Sequence, residues 1–168
     1  MFRKILIANR GEIACRIIGT CRKLGISSVA IYSTADENAL HVNLADEAVH
    51  IGEASPQESY LNLERILEAA KLTGAEAIHP GYGFISENPV FAVRCQEEGI
   101  CFIGPKPEVM QKMGDKLRAR KLAKKAGLPL LPGTDEAVDD AHAESHACKL
   151  GFPLMVKPVH EGSSIGMA

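Results

Sequence analysis

Short apolar runs of strand length alternate with apolar stripes at helical spacing from residue 4 to residue 103, and this alternation limits the folds open to the chain. Residues 4–8 read as a buried strand that stops at Asn9-Arg10. Residues 11–24 place Ile13, Ile17 and Leu24 on one helical stripe, and Gly25 ends the helix. A second β-rich run, S-S-V-A-I-Y-S, covers 27–33, and residues 36–44 form a polar, helical link. Residues 48–51 give a short strand. Residues 61–72 carry Leu63, Ile66, Leu67 and Ala70 at helical spacing before Gly74. Strand, helix and strand follow at 75–79, 89–98 and 100–103. Strands and helices in this order predict an α/β fold, a Rossmann-like parallel sheet with helices on its faces, over residues 1 to about 105.

Beyond Pro105 and Pro107 the composition shifts. Residues 109–126 are rich in Lys, Arg and Met at helical spacing. A short strand is expected between Gly127 and Gly133, a helix at 139–150, a strand at 153–157, a Gly/Ser loop at 161–166 and the start of another strand at the end. The chain has 168 residues, 19 basic and 21 acidic side chains and 46% apolar residues. That is enough apolar surface to offset the entropy of ordering, which excludes a disordered chain. No run approaches the roughly 20 apolar residues of a membrane helix, and residues 5–8 are too few for a signal peptide. Near-neutral charge with three Tyr, five Phe and no Trp gives no support for a nucleic-acid surface. The five cysteines contain no C-x-x-C pair, and their odd count does not suit a closed disulfide framework. Cys15 and Cys21 are expected to serve as small hydrophobes of a helix, in a reducing, cytoplasmic compartment.

Three segments could carry chemistry. Lys157 precedes a loop with Gly162, Ser163, Ser164 and Gly166, whose amides and hydroxyls suit phosphate oxygens; a plain turn would use the same residues. Lys116, on a helix opened by Gly114-Asp115, offers a second cation for the same anion, or a solvated helix face. The segment H-P-G-Y-G-F-I-S-E-N at 79–88 follows a strand of the parallel sheet, where ligands of open α/β sheets bind, yet it also makes an ordinary tight loop with Ser86 or Asn88 as a cap. Asn9-Arg10-Gly11-Glu12 also lies at a strand-to-helix turn, but one glycine does not make a dinucleotide fingerprint. His142 and His146 stand four apart without the H-E-x-x-H order and read as an exposed helix face rather than a metal site.

These blocks together resemble the N-terminal part of biotin carboxylase. The stretches are K-I-L-I-A-N-R-G-E-I-A at 4–14, S-T-A-D at 33–36, H-V-N-L-A-D-E-A-V at 41–49, S-Y-L-N at 59–62, A-I-H-P-G-Y-G-F-I-S-E-N at 77–88, F-I-G-P-K at 102–106 and M-G-D-K at 113–116. The resemblance covers residues 1–133 and implies an ATP-grasp ligase: a pre-ATP-grasp domain at 1–113, then the incomplete N-terminal lobe of an ATP-grasp domain at 114–168. The reaction implied is that of an ATP-dependent carbon–nitrogen ligase. It uses MgATP and bicarbonate to make carboxyphosphate and then carboxylates biotin on a biotin carrier protein, beside a carboxyltransferase. By position, Lys116 and Lys157 match lysines that contact ATP phosphates, and the loop after Lys157 matches the lid. The segment 79–88 matches the loop facing the active-site cleft. Arg16 matches a residue of the helix forming part of the family's homodimer face, where Gly19 replaces a commonly basic residue.

The lid departs from the family. Where biotin carboxylases carry G-G-G-G-R-G-M, this chain has H-E-G-S-S-I-G-M, and residues 149–168 resemble the lid of D-alanine:D-alanine ligase. By that comparison Lys157, Ser163 and Ser164 hold phosphates and Glu161 fixes the lid. The ligase's own substrate motif, G-G-x-S-x-E-x-x-V-S, does not occur. The resemblance places the carboxylates that hold Mg²⁺ and the catalytic loop outside these residues, so the isolated chain is expected to be inactive. Two other readings stay open: a ligase of the D-alanine:D-alanine type, and a non-catalytic interaction module with apolar strand edges near Met155 and Met167.

Overall fold

A computed structural model describes residues 1–159 and 166–168. It divides into two compact units, residues 1–107 and 108–168.

The first unit alternates β1 (Lys4–Ile7), α1 (Gly11–Leu24), β2 (Ser27–Ser33), α2 (Leu40–Leu44), β3 (Glu47–Gly52), α3 (Leu63–Thr73), β4 (Ala77–His79), α4 (Pro89–Glu97) and β5 (Cys101–Phe102). The strands pair in the order β3-β2-β1-β4-β5, all parallel, with Leu6 opposite Val29 on one side and Ile78 on the other. Side chains of a strand point alternately to the two faces, and β1 divides its apolar residues accordingly. Ile5 and Ile7 join Ile17, Ile18 and Cys21 of α1, whereas Leu6 and Ala8 join Ile66, Leu67, Phe91 and Cys95 of α3 and α4. The fold class expected from the alternation is therefore present, and most element limits fall within two residues of the expectation.

Local chemistry sets the helix ends. Gly25 and Gly74 close α1 and α3 in the left-handed region, at φ of 68° and 66°. Asn62 and Asn88 cap α3 and α4, accepting from the backbone N–H of Arg65 and Phe91.

The second unit holds α5 (Pro107–Met113, entered from the last residue of the first), α6 (Lys116–Lys125) and α7 (Asp140–Leu150). One helix expected across 109–126 is two, because Asp115 turns its carboxylate onto the N–H groups of Leu117 and Arg118 and starts a new helix. The strand expected between Gly127 and Gly133 does not form. Pro129 and Pro132 have no N–H to donate, and Arg120 takes the carbonyls of Leu131 and Gly133. The strand expected at 153–157 is reduced to one residue pair, Val156 and Ala168, which exchange two backbone hydrogen bonds of 2.6 and 3.1 Å. Met110 is the only buried apolar residue of this unit among the described residues.

Candidate functional site

The strand order reverses direction between β1 and β4, and an open α/β sheet has its crevice outside the carboxyl ends of the strands at such a switch point. Here that crevice is built from Asn9-Arg10 after β1 and residues 80–84 after β4. Asn9 is buried and donates through Nδ2 to the carbonyls of Pro80 (2.8 Å) and Tyr82 (2.7 Å), so one amide ties the two strand ends together. Gly81 is required there: its φ is +65°, and a Cβ would stand 2.8 Å from Asn9 Nδ2. Phe84 also has positive φ, 44°, an uncommon conformation for a bulky residue that the surrounding contacts must hold.

Those contacts come from an aromatic and charged stack. The Phe84 ring lies on Tyr60 with centroids 5.1 Å apart and planes 14° from parallel. The Arg10 guanidinium sits 5.3 Å from the Tyr60 centroid and 5.6 Å from that of Phe84. Arg10 also reaches Asp36 Oδ2 at 3.1 Å, an oxygen that accepts from Ser33 Oγ and Tyr60 Oη, each at 2.8 Å. Burial alone would raise the Asp36 pKa, but the hydrogen bonds from Tyr60, Ser33 and Arg10 outweigh it and hold the carboxyl below its usual value. Tyr60, fully buried, is pushed well up, by burial first and then by donating to Asp36.

His79, the last residue of β4, is half-buried and its pKa is lowered by burial. The Gly81 N–H donates to its Nδ1 at 3.1 Å, which leaves the ring proton on Nε2. Asn9, Arg10, Ile13, Tyr82, Gly83 and Phe84 line a shallow, open hollow of about 280 Å³. Tyr82 stands 63% exposed at its rim, and its hydroxyl donates to Glu12 Oε2 at 3.4 Å. The hollow can receive a small polar group beside a fixed guanidinium and a phenol.

In the second unit, Lys116 is the first residue of α6, at the positive end of the helix dipole. Its Nζ donates to the carbonyl of Val159 at 3.5 Å. Gly166 has φ +66°, and a Cβ there would lie 2.9 Å from Pro158 Cγ. Lys116 thus meets Val159 and Gly166 meets Pro158, the two residues that follow Lys157, whose side chain is exposed. Glu161, Gly162, Ser163 and Ser164 lie outside the described residues. A cation at a helix start suits phosphate oxygens. Among the described residues no group of three or more His, Cys, Asp or Glu side chains comes together, so no ligand set for Mg²⁺ is assigned. His142 bonds Asp139 Oδ1 through Nδ1 at 2.6 Å on an exposed helix start. Arg16 is exposed on α1. All five cysteines are free thiols, Cys21 and Cys95 are buried, and burial pushes the Cys95 pKa up to about 12, far from a reactive thiolate.

Asp36 and Tyr60 carry no site signal in the sequence, and Phe84 carries one only as a member of the 79–88 segment. Each lies in a block that carries the family resemblance, but 24 residues separate Asp36 from Tyr60 and no spacing rule joins them.

Comparison with known proteins agrees along the whole chain. The biotin carboxylase N-terminal domain family matches residues 1–110. A pyruvate carboxylase subunit from Methanothermobacter thermautotrophicus is 54% identical over 168 residues, 99% of this chain and 34% of that protein. Biotin carboxylase 2 of Bacillus subtilis is 54% identical over 99% of this chain and 38% of its own length. The biotin carboxylase of Campylobacter jejuni, solved as a β-γ-ATP complex, superposes over the entire chain with a TM-score of 0.95 at 42% identity, covering 38% of that structure. The biotin carboxylase domain dimer of the 2-oxoglutarate carboxylase from Hydrogenobacter thermophilus, solved with MgADP, ADP and bicarbonate, gives 0.94 at 48% identity and 37% coverage. The chain spans about a third of the length of these relatives. The matched length includes residues 149–168, the segment expected to carry the lid.

Proposed function

The chain belongs to the biotin carboxylase family, whose N-terminal domain it carries, and from that premise we propose that it serves a biotin-dependent carboxylase as the part that closes one side of the ATP and bicarbonate site. The observation that carries this reading is the meeting of Asn9, Arg10 and residues 80–84 at the switch point of the sheet. Residues 1–113 act as the pre-ATP-grasp domain and residues 114–168 as the first part of the ATP-grasp domain. Lys116 and Lys157 neutralise ATP phosphates, and Glu161, Gly162, Ser163, Ser164 and Gly166 are assigned to the same ATP. ATP, when bound with its Mg²⁺, supplies the phosphoryl group that activates bicarbonate for transfer to biotin. This chain's residues bind and orient: in the second unit the lysines hold charge, and in the first Asn9 fixes the 80–84 loop.

A biotin carrier protein and a carboxyltransferase are the expected partners, and α1 with Arg16 supplies the expected homodimer face. A cytoplasmic location is in keeping with five free thiols, and among the described residues no helix is long and apolar enough to cross a membrane.

The test is a chimera in which these 168 residues replace the matching third of Bacillus subtilis biotin carboxylase 2. Bicarbonate-dependent ATP hydrolysis with free biotin as acceptor is expected, and Lys116→Ala is expected to lower kcat/KM for ATP at least a hundredfold. A folded chimera with no bicarbonate-dependent turnover would overturn the proposal.

A further inference from the structure

Helix α1 starts without a cap of its own. Arg10 stands at the N-cap position with no side-chain bond to the helix, although the first N–H groups of any helix lack an internal partner. The missing acceptor comes from another element. His41, on α2 and 0% exposed, lies with Nδ1 3.4 Å from the N–H of Gly11. Its Nε2 lies 3.3 Å from the carbonyl of Ile31 on β2. A carbonyl only accepts, so the ring proton is on Nε2, and Nδ1 is left as the acceptor that Gly11 requires. Both ring nitrogens are therefore committed, and the ring is neutral. Asn9-Arg10, immediately before Gly11, form the strand end that holds residues 80–84.

We propose that His41 is a positioning residue for the candidate site: its neutral ring caps α1 from a distance, fixing the Asn9-Arg10 turn, and protonation of that ring releases the turn. A proton on Nδ1 would face the Gly11 N–H donor to donor, at the positive end of α1. Arg10 adds a positive charge before α1. At the other end of the helix Arg22 donates to the carbonyl of Leu44 on α2. Asp36, after β2, is the opposing charge, but its Oδ2 already accepts from Ser33, Tyr60 and Arg10. Burial first, and Arg10 after it, hold the His41 pKa below the ordinary histidine value against the opposite pull of Ile31 and Asp36. A histidine that merely filled space would leave Gly11 indifferent to its titration.

The sign follows from linkage. The unfolded chain takes up the proton near pH ~6.5, while folded His41 resists it. Stability is complete above that pH and is lost as pH falls toward the folded value, by up to about tenfold in the folding constant per pH unit for one proton. His79 works in the same direction, so a site-resolved measurement is required.

Nitrogen-resolved NMR of the full chain between pH 8 and pH 5 provides it, following the His41 ring nitrogens with the amides of Gly11 and Gly83. The expected result is an Nε2–H tautomer at pH 8, with both amides moving at the His41 midpoint. The same coupling should persist in His79→Gln, and acid loss of structure should shift to lower pH in His41→Gln. An Nδ1–H tautomer at pH 8, or a Gly11 amide that stays flat while His41 titrates, would overturn the proposal. The wild-type titration decides even if His41→Gln does not fold.

Discussion

The two units differ in composition and are held together differently. In the first, β1 is sandwiched between helices, and Leu6, Ile7, Ile78, Phe91 and Tyr60 are fully enclosed. In the second, α6 and α7 bury no residue, and Leu131, Phe152 and Met155 are 84%, 77% and 60% exposed. What orders the second unit is polar: Asp115 and Asp139 cap helices, and Arg120 and Lys124 both hold Asp135. Burial of a large apolar side chain stabilises by about 1.5–3 kcal/mol, whereas exposed ion pairs are screened and contribute little. A packed apolar core thus holds the first unit, whereas exposed polar contacts hold the second.

The largest way to break that contrast is to empty the core. Phe91→Ala should cost about 3–5 kcal/mol in urea unfolding, while Leu131→Ala, at the opposite extreme of exposure, should change stability by less than about 0.5 kcal/mol. Equal costs would contradict it. Next in size is Gly81→Ala, which forces a Cβ against Asn9 and a side chain into positive φ. About 2 kcal/mol is expected, read by the same unfolding curves, together with loss of protection at the Tyr82 and Gly83 amides.

Tyr60→Phe removes the hydroxyl that donates to Asp36 and accepts from the Ser33 N–H. A cost of about 1–2 kcal/mol is expected. The variant should also weaken the acid sensitivity due to Asp36. Because the folded pKa of Asp36 is depressed, its contribution is present above the unfolded value and lost as pH falls through the folded one. A pH series of unfolding midpoints checks this. The smallest effect is expected from Asp135→Asn, with no change in the unfolding midpoint of the first unit and faster proteolytic cleavage confined to residues 108–168.

The sheet was legible because strand alternation and glycine stops are local signals. Lys4 to His79 could be parsed from Ile, Val and Leu spacing and from Gly25 and Gly74. The second unit was legible in its helices, apart from the break at Asp115, but not in its strands. Periodicity cannot see that Arg120 takes the carbonyls of residues 131 and 133, or that prolines at 129 and 132 leave no ladder. At the site, the 79–88 loop was visible from its glycines and its place after a strand. The Arg10–Asp36–Tyr60–Phe84 stack was not, since its members meet only through the pairing of β1 with β2 and β4. His41 was hidden for the same reason: nothing in H-V-N-L tells that its ring caps a helix thirty residues earlier.

The central claim, that cations on the second unit hold ATP phosphates, is tested most directly by calorimetric titration of MgATP into the chain, with Lys116→Ala and Lys157→Ala beside it. Saturable binding tighter than ~1 mM, about −4 kcal/mol, is expected, lost in either variant. Absence of binding, or binding that survives both substitutions, would contradict it.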